Sequence, residues 1–490
     1  MKIIVIGSGF GGIAAAIRLQ AQGHQVTIVE KRDRPGGRAY VYQQDGFTFD
    51  GGPTIITSPY IIHELFQLAG KRTQDYLTLV KLNPFYNVRF PDGSVFHYND
   101  NSDDLIQQIR AFNPEDVGGY KQFCQAANQV FEKGLPLMTQ PFTKFGDMLR
   151  VAPEMIELQS YKSVAGFVNQ YIKDERLRQV FSFHPLLIGG NPFQSTSIYA
   201  MIHKLEQKFG IWFAMGGTGA LVSALVQLFE EMGGKLLLNT EVSEILMNDK
   251  TKKATGVALK NGNLLSADAI VSNADVSRTY LNLIKPRFRR KYTDAKIKRM
   301  RHSISLFVFY FGTNRRYEQM AHHEIIMGPR YKGLMNDLFK RKHLADDFSL
   351  YLHRPTATDP TLAPSGCDSW YVLSPVPNLD AKIEWKTTAK TYKDKIIQFL
   401  EQHYLPNLSQ HIVTEHYIDP VHFQDTLNSY KGSAFSLEPT LMQSAWFRPH
   451  NVSEDVKNLY FVGAGTHPGA GIPGVMSSAK IVANMIGKVQ

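Results

Sequence analysis

Met1-Lys2-Ile3-Ile4-Val5-Ile6-Gly7-Ser8-Gly9-Phe10-Gly11-Gly12 is the stretch whose reading decides the fold. Residues 3–6 are a short unbroken apolar run, the pattern of a parallel strand buried on both faces, and the run stops at a glycine turn. Ile13, Ala16, Ile17 and Gln20 then share one helical stripe beside small Ala14 and Ala15, so this helix can approach a sheet closely before Gly23 ends it. A second strand at 26–29 closes with Glu30 and Lys31. Gly7, Gly9 and Gly12 have the spacing G-x-G-x-x-G of a dinucleotide-binding βαβ unit. Gly7 permits the tight turn, Gly9 lets the backbone approach a pyrophosphate, and Gly12 lets helix pack on strand. Ser8, Phe10 and Gly11 belong to the same turn, whose N–H groups face the phosphates. A carboxylate at Glu30 suits ribose hydroxyls and repels a 2′-phosphate, which favours FAD or NAD over NADP.

The chain has 490 residues, enough for two or three domains, and its 43% hydrophobic and 20% charged content is that of a protein folded throughout. Its formal charge of +10 points to an anionic neighbour, yet the basic residues are dispersed except at 285–301, and no nucleic-acid module accompanies them. That cluster reads either as a solvated face or as a contact for an anionic membrane. Two cysteines, Cys124 and Cys367, in unrelated contexts suggest neither a disulfide framework nor a metal site, and suit a reducing cytoplasm. The first apolar run is too short for a signal segment, and no apolar stretch is long enough to span a bilayer, so any membrane contact is expected to be peripheral.

Arg34-Pro35-Gly36-Gly37-Arg38 follows the second strand, offering donors and unobstructed backbone to a second phosphate. This extension resembles the motif of the flavoprotein group that contains amine oxidases and carotenoid desaturases, where Gly36, Gly37 and Arg38 would lie against FAD. Gly51-Gly52-Pro53-Thr54 matches that group as a further turn near the flavin. Near the C-terminus, Asn458-Leu459-Tyr460-Phe461-Val462-Gly463-Ala464-Gly465-Thr466 reads as a strand entering a glycine turn. His467-Pro468-Gly469-Ala470-Gly471-Ile472-Pro473-Gly474 follows, then a helix over 475–489 beginning at Val475. The stretch 458–478 closely resembles the flavin-contacting signature of bacterial-type phytoene desaturases, and the resemblance runs over essentially the whole chain, including Val271-Ser272-Asn273-Ala274-Asp275-Val276. It implies non-covalent FAD, contacts from Gly463, Ala464, Gly465, Gly469, Gly471, Ile472 and Val475, and adenine beside Val242.

In the middle of the chain, Gly216-Gly217-Thr218-Gly219-Ala220 opens a helix, and strands at 235–238 and 240–245 follow. The expected architecture is α/β. A Rossmann-type FAD-binding domain is assembled from 1–75, 205–300 and 420–490, with an inserted α+β substrate domain and a helical membrane-facing part at 75–205 and 300–420. The inserted pieces carry apolar and aromatic runs such as Leu306-Phe307-Val308-Phe309-Tyr310. They show no metal-ligand spacing, since His322 and His323 are adjacent rather than paired across a helical turn.

What the resemblance implies is desaturation of phytoene by successive hydride transfers to flavin, giving neurosporene or lycopene, on a cytoplasmic enzyme at the cell membrane with oxygen or a quinone as electron acceptor. A carotenoid oxygenase or ketolase, or an amine oxidase, is the alternative on the same scaffold. The hydrocarbon has no polar handle, so shape must orient it, and a weak base or water suffices for the proton lost after the hydride. Asp147 and Arg150 are the named candidates for proton removal and cation placement, against a surface ion pair as the other reading.

Overall fold

The computed structural model describes residues 1–489. The opening apolar run becomes the strand Lys2–Ile6, third in a five-stranded parallel sheet whose order is Lys235–Leu237, Gln25–Val29, Lys2–Ile6, Ala269–Ser272, Leu459–Phe461. Ile3 faces Val26 on one side and Ala269 on the other, so this strand is hydrogen-bonded at both edges. The helix Phe10–Ala21 packs on the last helix, Ile472–Ile486. Ala14, Ala15 and Ala16 are fully buried in that contact, as are Ala479 and Val482 opposite, because small side chains bring the two backbones together. Each fully buried Ile or Val of the layer contributes roughly 1.5–3 kcal/mol.

Several element boundaries differ from the sequence reading. The strand expected over 235–238 ends at Leu237, and the next begins at Val242, in a separate antiparallel sheet of Val242–Met247, Ala254–Leu259 and Leu264–Ser266. Asn239, at φ +50°, turns the chain between them. The last helix starts at Ile472 rather than 475, because Pro473 occupies its first turn, where a missing N–H costs nothing.

The second large layer is a seven-stranded mixed sheet: Ile412–Ile418, Ser305–Thr313, Asp368–Val376, Leu350–His353, His323–Ile326, Tyr86–Arg89, Val95–Tyr98. All nine residues of Ser305–Thr313 are buried, with Phe307, Phe309 and Phe311 on one face and Leu306, Val308 and Tyr310 on the other. The helix Asp116–Leu137 packs against Met201–Phe209, and Phe145–Glu157 follows it in the chain. Among the described residues no helix is long and apolar enough to cross a membrane. The basic segment 285–301 is partly neutralised: Lys285 pairs with Glu244, Arg287 with Asp249, Arg289 with Asp294, Lys291 with Glu454 and Arg301 with Glu438, while Arg290, Lys296, Lys298 and Arg299 form no ion pair among the described residues.

Candidate cofactor and substrate cavity

One cavity of about 690 Å³ runs from the edge of the parallel sheet to the mixed sheet. The N-termini of two helices, Phe10–Ala21 and Ile472–Ile486, line it, and neither has a side chain capping its free N–H groups. Their N-cap residues are Gly9 and Gly471, which contribute no side chain between helix and cavity. Two bare positive helix ends in one cleft make an anion-binding wall.

Most of the glycines singled out in the sequence stand on that wall, and the others support it from behind. Gly7, Gly9, Phe10, Gly11, Glu30 and Lys31 line the cavity. Ser8 does not, being fully buried with its N–H and Oγ donating to Glu30 Oε2 at 2.8 and 2.7 Å, which fixes the carboxylate. Gly12 is likewise behind the wall, where a Cβ would stand 2.1 Å from the Gly7 carbonyl oxygen. Gly36, at φ +114°, with Gly37 and Arg38 forms the adjoining part of the lining, and Gly52, Pro53 and Thr54 continue it. Val242 lies on the same wall, whereas Gly216 and Gly217 do not line it; the Thr218 N–H above them donates to Asp50 Oδ1 at 2.7 Å. From the C-terminal turn Gly463, Ala464, Gly471, Ile472 and Val475 line the cavity. Gly465 instead packs where a Cβ would meet Val276 at 2.6 Å, and Gly469 sits at φ +133° beside Arg448.

Much of the remaining lining is apolar, interrupted by Tyr199, Glu206, Tyr331, Tyr351 and Tyr371. Leu137 and Met138 come from the end of Asp116–Leu137, Met148, Val151 and Met155 from Phe145–Glu157, Leu187 from a 3₁₀ turn, and Leu306 and Val308 from the mixed sheet. Phe145–Glu157 has no buried residue: one face lines the cavity, while Phe145, Leu149 and Ile156 on the helix point to solvent, 52–66% exposed. Leu441 and Ala445 line the cavity from an adjoining turn, and Met442 between them is 65% exposed. Asp147 and Arg150 share the helix but are absent from the lining. They form an i, i+3 ion pair of 2.7 Å with side chains 22% and 72% exposed, and the Asp147 carboxylate accepts the Thr143 and Lys144 N–H groups.

The family described as flavin-containing amine oxidoreductase matches residues 10–486. A lycopene-forming phytoene desaturase of Pantoea ananas is 51% identical over 484 residues, 98% of each chain. The neurosporene-forming phytoene desaturase of Rhodobacter capsulatus is 44% identical, over 99% of this chain and 94% of that one. The chain belongs to the carotenoid desaturase branch of the flavin-containing amine oxidoreductases. Among solved structures, cyclohexylamine oxidase from Brevibacterium oxydans covers 99% of both chains at a TM-score of 0.63 and 19% identity, which shows the shared fold.

As a member of that family the chain is an FAD-dependent oxidoreductase, and its cavity has the donor set FAD needs. Two uncapped helix N-termini and Arg38 would hold a diphosphate, and the buried Glu30 carboxylate would accept from a ribose. Arg38 donates to Ser429 Oγ at 2.6 Å while its Nε is buried without a partner, a donor still to be satisfied. Burial lowers its pKa, and the Asp275 carboxylate nearby works against that loss.

Three residues of this flavoprotein site carried no assigned role in the sequence reading. Asn273 sits against two glycine turns at once: a Cβ at Gly9 or Gly11 of the first, or at Gly463 of the second, would meet its amide at 2.8, 2.6 or 2.8 Å. Its place in the 271–276 motif was the available signal. Arg448 is buried and donates to the carbonyls of Leu437, Gln443, Ala464 and Thr466, holding the C-terminal turn in shape. Nothing local marks it, because all four acceptors are main-chain oxygens. His467 Nε2–H donates to the Leu137 carbonyl at 2.9 Å, tying this turn to the apolar half, and burial pushes its pKa down to about 4.

Proposed function

We propose that the chain desaturates phytoene in successive steps, as far as neurosporene or lycopene, with FAD held by the glycine wall. The observation that carries this reading is the continuity of one cavity from uncapped helix ends and Arg38 to an apolar chamber beside an exposed apolar helix. Gly7, Gly9, Gly11, Gly36, Gly37, Arg38, Gly52 and Val242 contact the cofactor; Glu30 accepts from its ribose; Ser8, Gly12, Gly465 and Gly469 shape those contacts from behind. Bound FAD supplies the hydride acceptor. The protein's part is to hold an allylic C–H in place by apolar contact, from Met148, Val151, Leu187, Leu306 and Val308, and to keep bulk water from the reacting carbons. The positive end of Ile472–Ile486 favours negative charge at its mouth.

An amine substrate would use a carboxylate or an aromatic cage; Glu206, Tyr351 and Tyr371 also line the cavity, so the preference for the hydrocarbon rests on the 51% identical phytoene desaturase rather than on the lining. FAD-loaded protein incubated with phytoene in liposomes should give a lengthened chromophore and products lighter by two hydrogens per step. Oxygenated products, or no product with FAD bound, would defeat the reading.

The same geometry supports peripheral membrane attachment. Phe145, Leu149, Ile156 and Met442 form the docking face, and the hydrocarbon enters between Phe145–Glu157 and the 441–445 turn. Apolar side chains at a cavity mouth gain by entering lipid rather than water. The double variant Leu149→Glu, Met442→Glu should stop sedimenting with liposomes while keeping FAD. Oxygen or a membrane quinone takes the electrons; anaerobic turnover restored by added quinone would select the quinone.

A further inference from the structure

The least satisfied polar cluster of the described chain lies outside the cavity, where His322, His323 and His353 meet. The three side chains are buried, and their donor atoms lie within 4.8 Å of one another. His323 and His353 are brought together by strand register, since His323–Ile326 and Leu350–His353 pair antiparallel with these residues opposite each other. Spacing along the chain cannot reveal such a set.

The hydrogen bonds around the cluster follow one pattern. His322 Nδ1 faces Thr358 Oγ1 at 2.7 Å, and His323 Nδ1 faces the Tyr351 hydroxyl at 2.7 Å; in both rings Nε2 has no partner. Each hydroxyl oxygen can accept from Nδ1–H, which leaves the Nε2 lone pair free, and Tyr351 can pass its own proton on to Thr54 Oγ1 at 2.6 Å. Neither nitrogen of His353 has a hydrogen-bond partner, and its Nε2 lies 3.4 Å from Asp50 Oδ2. Asp50 is held in the same way: Oδ1 accepts the Thr218 N–H, and Oδ2 is buried with no hydrogen bond. The nearby Arg354 guanidinium pairs with Asp368 at 3.2 Å, a carboxylate it shares with Arg316 at 3.8 Å.

Three histidines with ligand atoms within 4.8 Å of one another, each with an unpartnered ring nitrogen and two of them fixed at Nδ1 by an outer hydroxyl, match the way metal ligands are oriented, and Asp50 adds an unpartnered carboxylate oxygen 3.4 Å from His353 Nε2. We propose that His322, His323, His353 and Asp50 bind one divalent transition-metal ion of the zinc class. Three imidazoles and one carboxylate suit Zn²⁺ and leave the complex with a single net positive charge. Ligand atoms in a tetrahedral zinc site stand ~3.3 Å apart, given Zn–N bonds of about 2.0–2.1 Å, so the three imidazoles, within 4.8 Å of one another, close by tilts of the rings, and Asp50 joins them by a turn of its carboxylate from its place beside His353. The ion ties the strand Phe47–Asp50 to the mixed sheet immediately before Gly51–Thr54 enter the cavity wall, so its role is structural.

The test uses FAD-loaded protein stripped with a chelator, incubated with Zn²⁺ or Co²⁺, desalted and analysed for metal. The expected result is about one ion per chain, with the intense visible bands of tetrahedral Co²⁺ and a thermal midpoint that rises with Zn²⁺. His353→Gln should abolish stoichiometric retention and the Zn²⁺-dependent midpoint shift; unchanged FAD content checks its fold. Should that variant fail to fold, Thr358→Val, which removes only an outer partner, is expected to weaken Zn²⁺ about 10-fold. Wild-type protein that keeps no metal, or keeps as much as the variants do, overturns the proposal.

Discussion

The two ends of the cavity are built on different terms. At the cofactor end the wall is main chain, and a methyl group at Gly9, Gly11, Gly12 or Gly463 would meet another atom at 2.1–2.8 Å. At the hydrocarbon end the wall is side chain, and Met148, Val151, Leu187 and Leu306 arrive on three separate segments. Backbone that must touch a ligand leaves no freedom of residue type, whereas an apolar chamber needs only volume and shape, and volume-conserving exchanges there are well tolerated. Tolerance should therefore rise from one end to the other.

The sharpest break of that contrast is Gly12→Ala. Its Cβ would stand 2.1 Å from the Gly7 oxygen, and backbone rather than a flexible side chain must give way. Overpacking of this kind costs roughly 1–3 kcal/mol, so FAD affinity is expected to fall ~10–100-fold, read as the flavin-to-protein absorbance ratio after gel filtration. Glu30→Gln comes next. Glu30 accepts from the Ser8 N–H and Oγ and from the Arg32 N–H, at 2.7–3.0 Å. An amide turns one acceptor into a donor among donors, costing about 1–3 kcal/mol, and flavin titration should show ~10-fold weaker binding.

Leu187→Trp tests the other end. It fills the chamber without touching the glycine wall, so FAD content should stay at the wild-type level while phytoene turnover falls about 10-fold, on the order of 1.4 kcal/mol. Loss of FAD in this variant would show that the two ends are not separable. His467 joins them through Leu137, and its effect is smaller and depends on pH. Burial holds this imidazole neutral down to about pH 4, against about 6.5 in an unfolded chain. The unfolded state therefore binds a proton that the folded state refuses, so the stabilisation is complete above about pH 6.5 and is lost as pH falls toward 4. Thermal midpoints should drop more steeply over that window in the wild type than in His467→Asn.

The same contrast explains what the sequence revealed. The strand at Lys2–Ile6, the helix after it and Glu30 were legible because the phosphate turn is local: a few consecutive residues impose both fold and ligand class. The glycine turn at 463–474 was legible for the same reason. Asn273 and Arg448 were not, since each works on segments far away in sequence, through glycines that lack side chains or through carbonyls that every residue has. The histidine cluster depends on the pairing of His323 with His353, which follows from sheet register rather than periodicity. The apolar chamber was legible only as apolar runs, because a buried Leu306 reads alike whether it faces a core or a ligand.

The smallest effect is expected at the mouth of the chamber, where Asp147 and Arg150 stand. The Asp147 carboxylate accepts the Thr143 and Lys144 N–H groups at 3.2 and 3.0 Å, and the Lys144 bond is the first cause of its lowered pKa. It thus anchors the first turn of Phe145–Glu157, which lines the chamber on one side and exposes Phe145, Leu149 and Ile156 to solvent. Asp147→Ala frees that turn, and loss of a helix-terminal acceptor typically costs ~0.5–2 kcal/mol. Turnover of phytoene delivered from liposomes should fall a few-fold through a raised apparent KM, with FAD content and kcat unchanged. Arg150→Ala should do less, because an exposed ion pair is worth about 0–1 kcal/mol. A carboxylate acting on the substrate predicts the opposite division: Asp147→Ala would then lower kcat, and by the same factor whether the hydrocarbon came from liposomes or from detergent micelles.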